Sequence, residues 1–257
     1  MSTTRTESDS FGPIEVPAQA LWAAQTARSL QFFAIGEQRM PRQIVVALAW
    51  IKWAAAQVNR DLGLLEAQRA QAVADAARAV AQGDHDGQFP LSVWQTGSGT
   101  QTNMNVNEVI ATLATRAMQS VSALSVRVHP NDDVNMGQSS NDVFPSAMHM
   151  AVVSQTTRDL LPALTYMRTE LAAKAVQFAD IVKIGRTHLQ DATPVRLGQE
   201  FGAYEAQLQL CEEQIRHALL AVFALPIGGT AVGTGLNTHP EFGARVTRML
   251  AEHLGLP

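Results

Sequence analysis

One apolar stripe in the second half of the chain constrains the fold more than any other feature. Leu197, Phe201, Tyr204, Leu208, Cys211, Ile215, Ala218 and Val222 recur at alternating steps of four and three residues, the spacing of one face of an α-helix. Such a helix runs for about 28 residues, or ~40 Å at 1.5 Å per residue. A narrow apolar stripe of that length is buried by laying other helices alongside it. A second stripe precedes it: Leu160, Leu164, Met167, Leu171, Ala175 and Phe178. A shorter helix follows, from about Pro240 to Leu254. Two long helices and one short one cannot close a bundle with seams this apolar. Either the N-terminal helices supply the missing walls, or the chain is an incomplete bundle that further chain or other copies finish.

The first half is also helical. Ile44, Leu48, Ile51, Ala55, Val58 and Leu62 form one face, with Pro41 near the start and Gly63 just past the end. An alanine-rich stretch from Glu66 to Gln82 stops at Gly83, and another helix begins near Asn103-Met104-Asn105 and carries Val106, Ile110, Leu113 and Ala117 on one side. No alternating strand pattern exceeds a few residues. The expected fold is all-α, with a mixed helical N-terminal domain over 1–137 and the first part of a long-helix bundle over 138–257.

Composition narrows the function. Apolar residues make up 46% and charged residues 16%, which suits a packed core and not a disordered chain. Nineteen basic residues face 23 acidic ones, a net charge of −4, with no Lys/Arg cluster, so a nucleic-acid partner is not expected. The single cysteine, Cys211, rules out a disulfide within the chain and fits a reducing compartment. The first ten residues are polar and include Glu7 and Asp9, unlike a signal or transit peptide. No apolar run approaches ~20 residues, so no membrane span is expected. The expected location is the cytoplasm.

Four loops rich in small polar residues separate the helices: Thr96–Asn103, His129–Asn141, Lys183–Pro194 and Pro226–Asn237. Gly228 to Gly233 has the spacing of a phosphate-binding loop, but Thr234 stands where lysine is required. Gly97-Ser98-Gly99 lacks the third glycine of a dinucleotide fingerprint. The seven histidines include no pair four apart on a helix, and one cysteine cannot build a structural zinc site, so no metal and no cofactor is expected. Hydroxyls and amides dominate the loops instead: Thr96, Ser98, Thr100, Thr102 and Asn103, then Ser139, Ser140 and Asn141, then Thr187 beside His188. Two of these loops run into helix starts, where free N–H groups and the positive dipole end suit an anion. Ordinary N-capping accounts for one such residue per helix, not for Ser139-Ser140-Asn141 in tandem. His188 lies in a loop between two long helices, flanked by Arg186, Thr187 and Gln190, as a natural proton handler. His129, in His129-Pro130-Asn131-Asp132-Asp133, is equally explained by a Pro/Asx turn.

These stretches resemble the signatures of the fumarase/aspartase superfamily, specifically its class II fumarases. The resemblance rests on Thr96–Glu108, His129–Asp142, Gly185–Ala192 and Leu225–Asn237, in order and in spacing, and extends from about Phe11 to the end. It implies a helical, cofactor-free homotetramer that interconverts fumarate and L-malate, with each active site assembled from several chains. Carried onto matching positions, Ser98, Thr100, Ser139, Ser140 and Asn141 would hold the substrate carboxylates. Thr187 and His188 would come from a second chain, with His188 in proton transfer. His129, Asn131 and Asp132 match a second, nearby dicarboxylate site. The Gly-Ser-Ser loop with Met, Lys and Asn that supplies the catalytic base in this family does not occur in these residues, so this chain alone is expected to be inactive. Aspartases are the nearest rival, but they typically carry Gln at the position of His188 and Asn at that of His129. A helical scaffold without activity is the alternative from a different class.

Overall fold

The computed structural model describes residues 3–121 and 126–256, and most of these are helical. The chain divides into two compact units, Met1–Ala151 with Leu225–Pro257, and Val152–Ala224.

The first unit is built on α2 (Arg42–Asp61) and α3 (Ala67–Gln82), which pack along each other. Leu48, Ile51, Ala55 and Val58 of α2 and Val73, Ala77 and Val80 of α3 are fully buried, so the expected 3–4 spacing marks the core face. Each large aliphatic side chain so buried contributes ~1.5–3 kcal/mol. The Glu66 carboxylate accepts the backbone N–H of Gln68 and Arg69 and starts α3. Gly83, at φ +97°, ends it in the left-handed region. α4 (Thr100–Val121) packs on α3, and α1 (Ala24–Phe32) packs on α4. α1 brings no side-chain cap of its own. Instead the buried Glu108 of α4 accepts the N–H groups of Ala23, Gln25 and Thr26 and the Thr26 hydroxyl. Burial pushes the Glu108 carboxyl up, and those four donors pull it back toward ionisation. α5 (Ser140–Gln155) begins in this unit with Val143 and Ala147 fully buried. α8 (Phe242–Leu254) returns from the far end of the sequence to pack on α2 through buried Phe242, Val246 and Leu250.

The second unit carries α6 (Leu161–Gln177) and α7 (Leu197–Val222), which pack side by side. Glu212 lies buried between them, accepting from Thr165, Arg168 and Arg216. The two guanidiniums and the hydroxyl hold its carboxyl below the usual range. Tyr166, Met167, Val176, Tyr204, Leu210 and Leu220 remain exposed.

The fold is helical, as expected, with two additions that no apolar alternation in the sequence announces. β1 (Thr4–Asp9) and β2 (Gly12–Pro17) form one antiparallel hairpin, and β3 (Val182–Thr187) and β4 (Gln190–Arg196) form another. Most of β3 and β4 is exposed on both faces, so nothing imposes apolar alternation on them. The compact units break at 151/152 and 224/225, whereas the sequence suggested 137/138. The Asn/Gly-rich stretch near 137 is a turn inside the first unit, and the start of α5 is buried just after it.

Candidate functional site

Two helix starts define the site. At the first, Gly99 takes φ +67°, and a side chain there would run into the Phe144 ring. The Gln95 carboxamide oxygen accepts the Thr102 N–H and hydroxyl, and the Gln101 oxygen accepts the N–H and hydroxyl of Thr96. The hydroxyls of Thr96, Ser98 and Thr100 follow in a chain, 3.3 Å and 3.0 Å apart. At the second start, Asp142 reaches back to accept the Ser139 N–H at 2.9 Å. Its other oxygen accepts the N–H groups of Gly228 and Thr230 at 3.0 and 2.9 Å. The Asn141 carboxamide donates to the Ala231 carbonyl at 2.8 Å. Asp142 and Asn141 thus pin the glycine-rich loop over the start of α5, and Thr230 is held there at φ +58°.

Between the two starts lies a cleft of about 430 Å³. Thr100, Asn103, Ser139 and Ser140 line it from the helix starts, Asn131, Asn135 and Gln138 from the intervening loop, and Gln25, Thr230 and Asn237 from outside. Among the described residues, no carboxylate lines it. Two helix N-termini with hydroxyl and amide donors present the kind of polarity that suits a small anion.

Below this layer is a charge that the sequence reading missed. Lys52 of α2 is fully buried. Its ammonium donates to the carboxamide oxygens of Asn135 at 2.8 Å and Gln138 at 2.9 Å. Asn103 also donates to the Asn135 oxygen, at 3.2 Å, and to the Ser140 hydroxyl oxygen at 3.1 Å. Burial pulls the Lys52 amine down to about 7, against the Asp142 carboxylate, which favours the charged form. The signal was present: Lys52 interrupts the apolar face of α2, one residue after buried Ile51.

The other expected site residues sit as follows. Ser98 is tied to Thr100, and the Asn141 side chain is committed to Ala231. Asn131 lines the same cleft as Thr100 and Ser140. His129 and Asp132 engage each other instead: the His129 Nδ1 accepts the Asp132 N–H at 3.1 Å. Their turn, Pro130–Val134, is anchored by buried Asp133, which accepts from the His129 N–H and from Arg69. Thr187 and His188 belong to the second unit. His188 does not lie in an irregular loop: with Leu189 it forms the two-residue tip of the β3–β4 hairpin, Thr187 pairing with Gln190. Both tip residues have positive φ, 48° and 62°, as a type I′ turn requires. That backbone is costly for non-glycine residues.

A family model described as lyase matches residues 12–257. The chain belongs to this lyase family. It is 57% identical over 255 residues to the class II fumarate hydratase of Chromobacterium violaceum, covering 99% of this chain and 55% of that one. It is 58% identical over 254 residues to the class II fumarate hydratase of Methylorubrum extorquens, covering 99% and 54%. Among solved structures, the class II fumarase of Schistosoma mansoni superposes with a TM-score of 0.94 at 45% identity, covering 98% of this chain and 53% of that one. The resemblance carried by the four polar loops therefore holds. The chain spans about half the length of the curated relatives it matches.

Proposed function

We propose that the protein catalyses the reversible hydration of fumarate to L-malate. The observation that carries this reading is the cleft between the starts of α4 and α5, lined by neutral donors above one buried ammonium, in a chain more than half identical to class II fumarate hydratases. In the malate-to-fumarate direction, a base removes the proton on the carbon beside one carboxylate. The electron pair moves into that carboxylate and makes a doubly charged aci-carboxylate. The hydroxyl on the neighbouring carbon then leaves with a proton as water. Stabilising the extra charge calls for several preorganised donors. Thr100, Ser139, Ser140 and Asn141, with Ser98 behind Thr100, are assigned to the substrate carboxylates. Thr187 and His188 are assigned to the site of a second copy, where His188 handles the proton of the leaving water. Because Thr187 and His188 stand on their own hairpin, presentation to a neighbouring copy suits their geometry. The catalytic base is assigned to the part of the longer relatives that this chain does not span, and the 257 residues alone are expected to be inactive.

We further propose a homotetramer, supported by the exposed apolar side chains of α6 and α7, and a cytoplasmic location, supported by the polar N-terminal residues and the single cysteine. His129, Asn131 and Asp132 are assigned to a second dicarboxylate site beside the first.

The test is a fumarate hydration assay on the full-length protein. His188→Asn is expected to lower the rate by ~10²–10⁴, the worth of a positioned acid–base group. His129→Asn is expected to change it far less. Faster release of ammonia from aspartate than hydration of fumarate would overturn the reading.

A further inference from the structure

Lys52 has no assigned part in the chemistry above, yet both acceptors of its ammonium, Asn135 and Gln138, line the cleft. Its ammonium is sealed from solvent and has only donors to offer. Asn135 and Gln138 must therefore turn their carboxamide oxygens inward to it, at 2.8 and 2.9 Å. The Asn135 oxygen is then an acceptor shared with Asn103, which fixes the Asn103 carboxamide with its NH₂ toward Asn135 and Ser140. The Ser140 oxygen accepts from Asn103, so its own hydrogen is left to be given away. Asn103, Asn135, Gln138 and Ser140 all line the cleft. Each group in the series has its direction set by the one before, and the first is the Lys52 Nζ, which donates to both carboxamide oxygens.

We propose that Lys52 is a positioning residue of the reaction: it orients the Asn135–Asn103–Ser140 relay so that Ser140 meets a dicarboxylate as a donor, and it keeps one fixed positive charge beneath the bound dianion. The inference rests on the hydratase reading for its substrate, but its geometry stands independently of it. The depressed amine fits the role. An ammonium that burial has brought down to about 7 is held charged by an anion arriving overhead, so binding the anion and keeping the charge support each other.

The experiment compares the wild type with Lys52→Met in the full-length protein, reading kcat and KM for fumarate and the dissociation constant of succinate, a dicarboxylate with no double bond to hydrate. Loss of a charge-assisted hydrogen-bond series is expected to raise both KM and the succinate constant by about tenfold or more. A variant that only unfolds part of the population lowers kcat and leaves KM where it was, so the KM change separates positioning from bulk stability. Ser140→Ala is expected to weaken succinate binding much less in the Lys52→Met background than in the wild type, because the two act in series. Should Lys52→Met fail to accumulate, Asn103→Leu cuts the same series at its middle. The change is close in shape, and among the described residues the buried Asn103 carbonyl oxygen has no partner to lose. It is expected to give the same rise in the succinate constant. Succinate binding and KM within about twofold of wild type in the variant that folds, or full additivity with Ser140→Ala, would overturn the proposal. If the wild type binds succinate but does not hydrate fumarate, the hydratase reading fails, and the succinate ratios still decide the role of Lys52.

Discussion

Lys52 occupies a core position on α2 that an aliphatic residue would fill at lower cost to the fold. Its amine sits at about 7 in the folded protein against 10.5 for an ordinary lysine. Between those values the unfolded chain keeps the proton and the folded one has released it, so stability rises as the pH climbs from about 7 toward 10.5. Below pH 7 both states are protonated and this contribution stops changing. Urea denaturation of the wild type at about pH 6.5 and about pH 9.5 is expected to show this gain, and Lys52→Met is expected to lack it. A constant difference between the two proteins across that range would contradict a depressed lysine. Gly99 is the second residue where the site dictates identity. Gly99→Ala combines a positive φ with a Cβ driven into the Phe144 ring, and is expected to lose at least ~2 kcal/mol in denaturation.

At the scale of elements, helices were legible and the hairpins were not. The α2 stripe from Ile44 to Leu62 and the stop at Gly83 appear in the structure nearly as written, because one-sided burial imposes a 3–4 spacing. For α7 the limits were readable, Leu197–Val222, but its most buried positions, Gly198, Glu212 and Leu219, lie one residue off the expected stripe. Glu212 explains part of the shift: a residue neutralised by Arg168 and Arg216 can occupy a seam that an apolar search skips. The β3–β4 hairpin left no trace because its two central residues, His188 and Leu189, are not the Asn-Gly pair that a type I′ turn favours. The polar loops of the site were visible as composition; the ammonium beneath them was hidden by the assumption that a helix face is either apolar or solvated. The strained tip carries its own prediction. Leu189→Gly relieves one left-handed residue of ~1–2 kcal/mol and adds back some unfolded-state entropy, for an expected net gain of ~0.5–1 kcal/mol. Thermal denaturation checks it; a loss of stability would show that Leu189, 87% exposed here, is not merely tolerated at the tip.

For the molecule as a whole, the exposed side chains of α6 and α7 have the largest consequence. Val176, Tyr204, Leu210 and Leu220 sit in water on helices otherwise shaped for packing, and exposed apolar area of that kind marks an interface. Leu210→Glu together with Leu220→Glu is expected to shift the full-length protein toward smaller species in sedimentation velocity. An unchanged distribution would remove these helices from the interface. The two units also differ in how they are made from the sequence. The first is assembled from Met1–Ala151 and Leu225–Pro257, and α8 covers α2 only after the entire second unit has been written out. During synthesis the α2 surface that receives Phe242, Val246 and Leu250 therefore emerges long before its cover does. About 180 residues of translation separate Asp61 from Phe242, roughly ten to thirty-odd seconds at ~5–20 residues per second, and they pass with that surface bare. A nascent chain in this state is a natural client for whatever shields apolar surface at the ribosome.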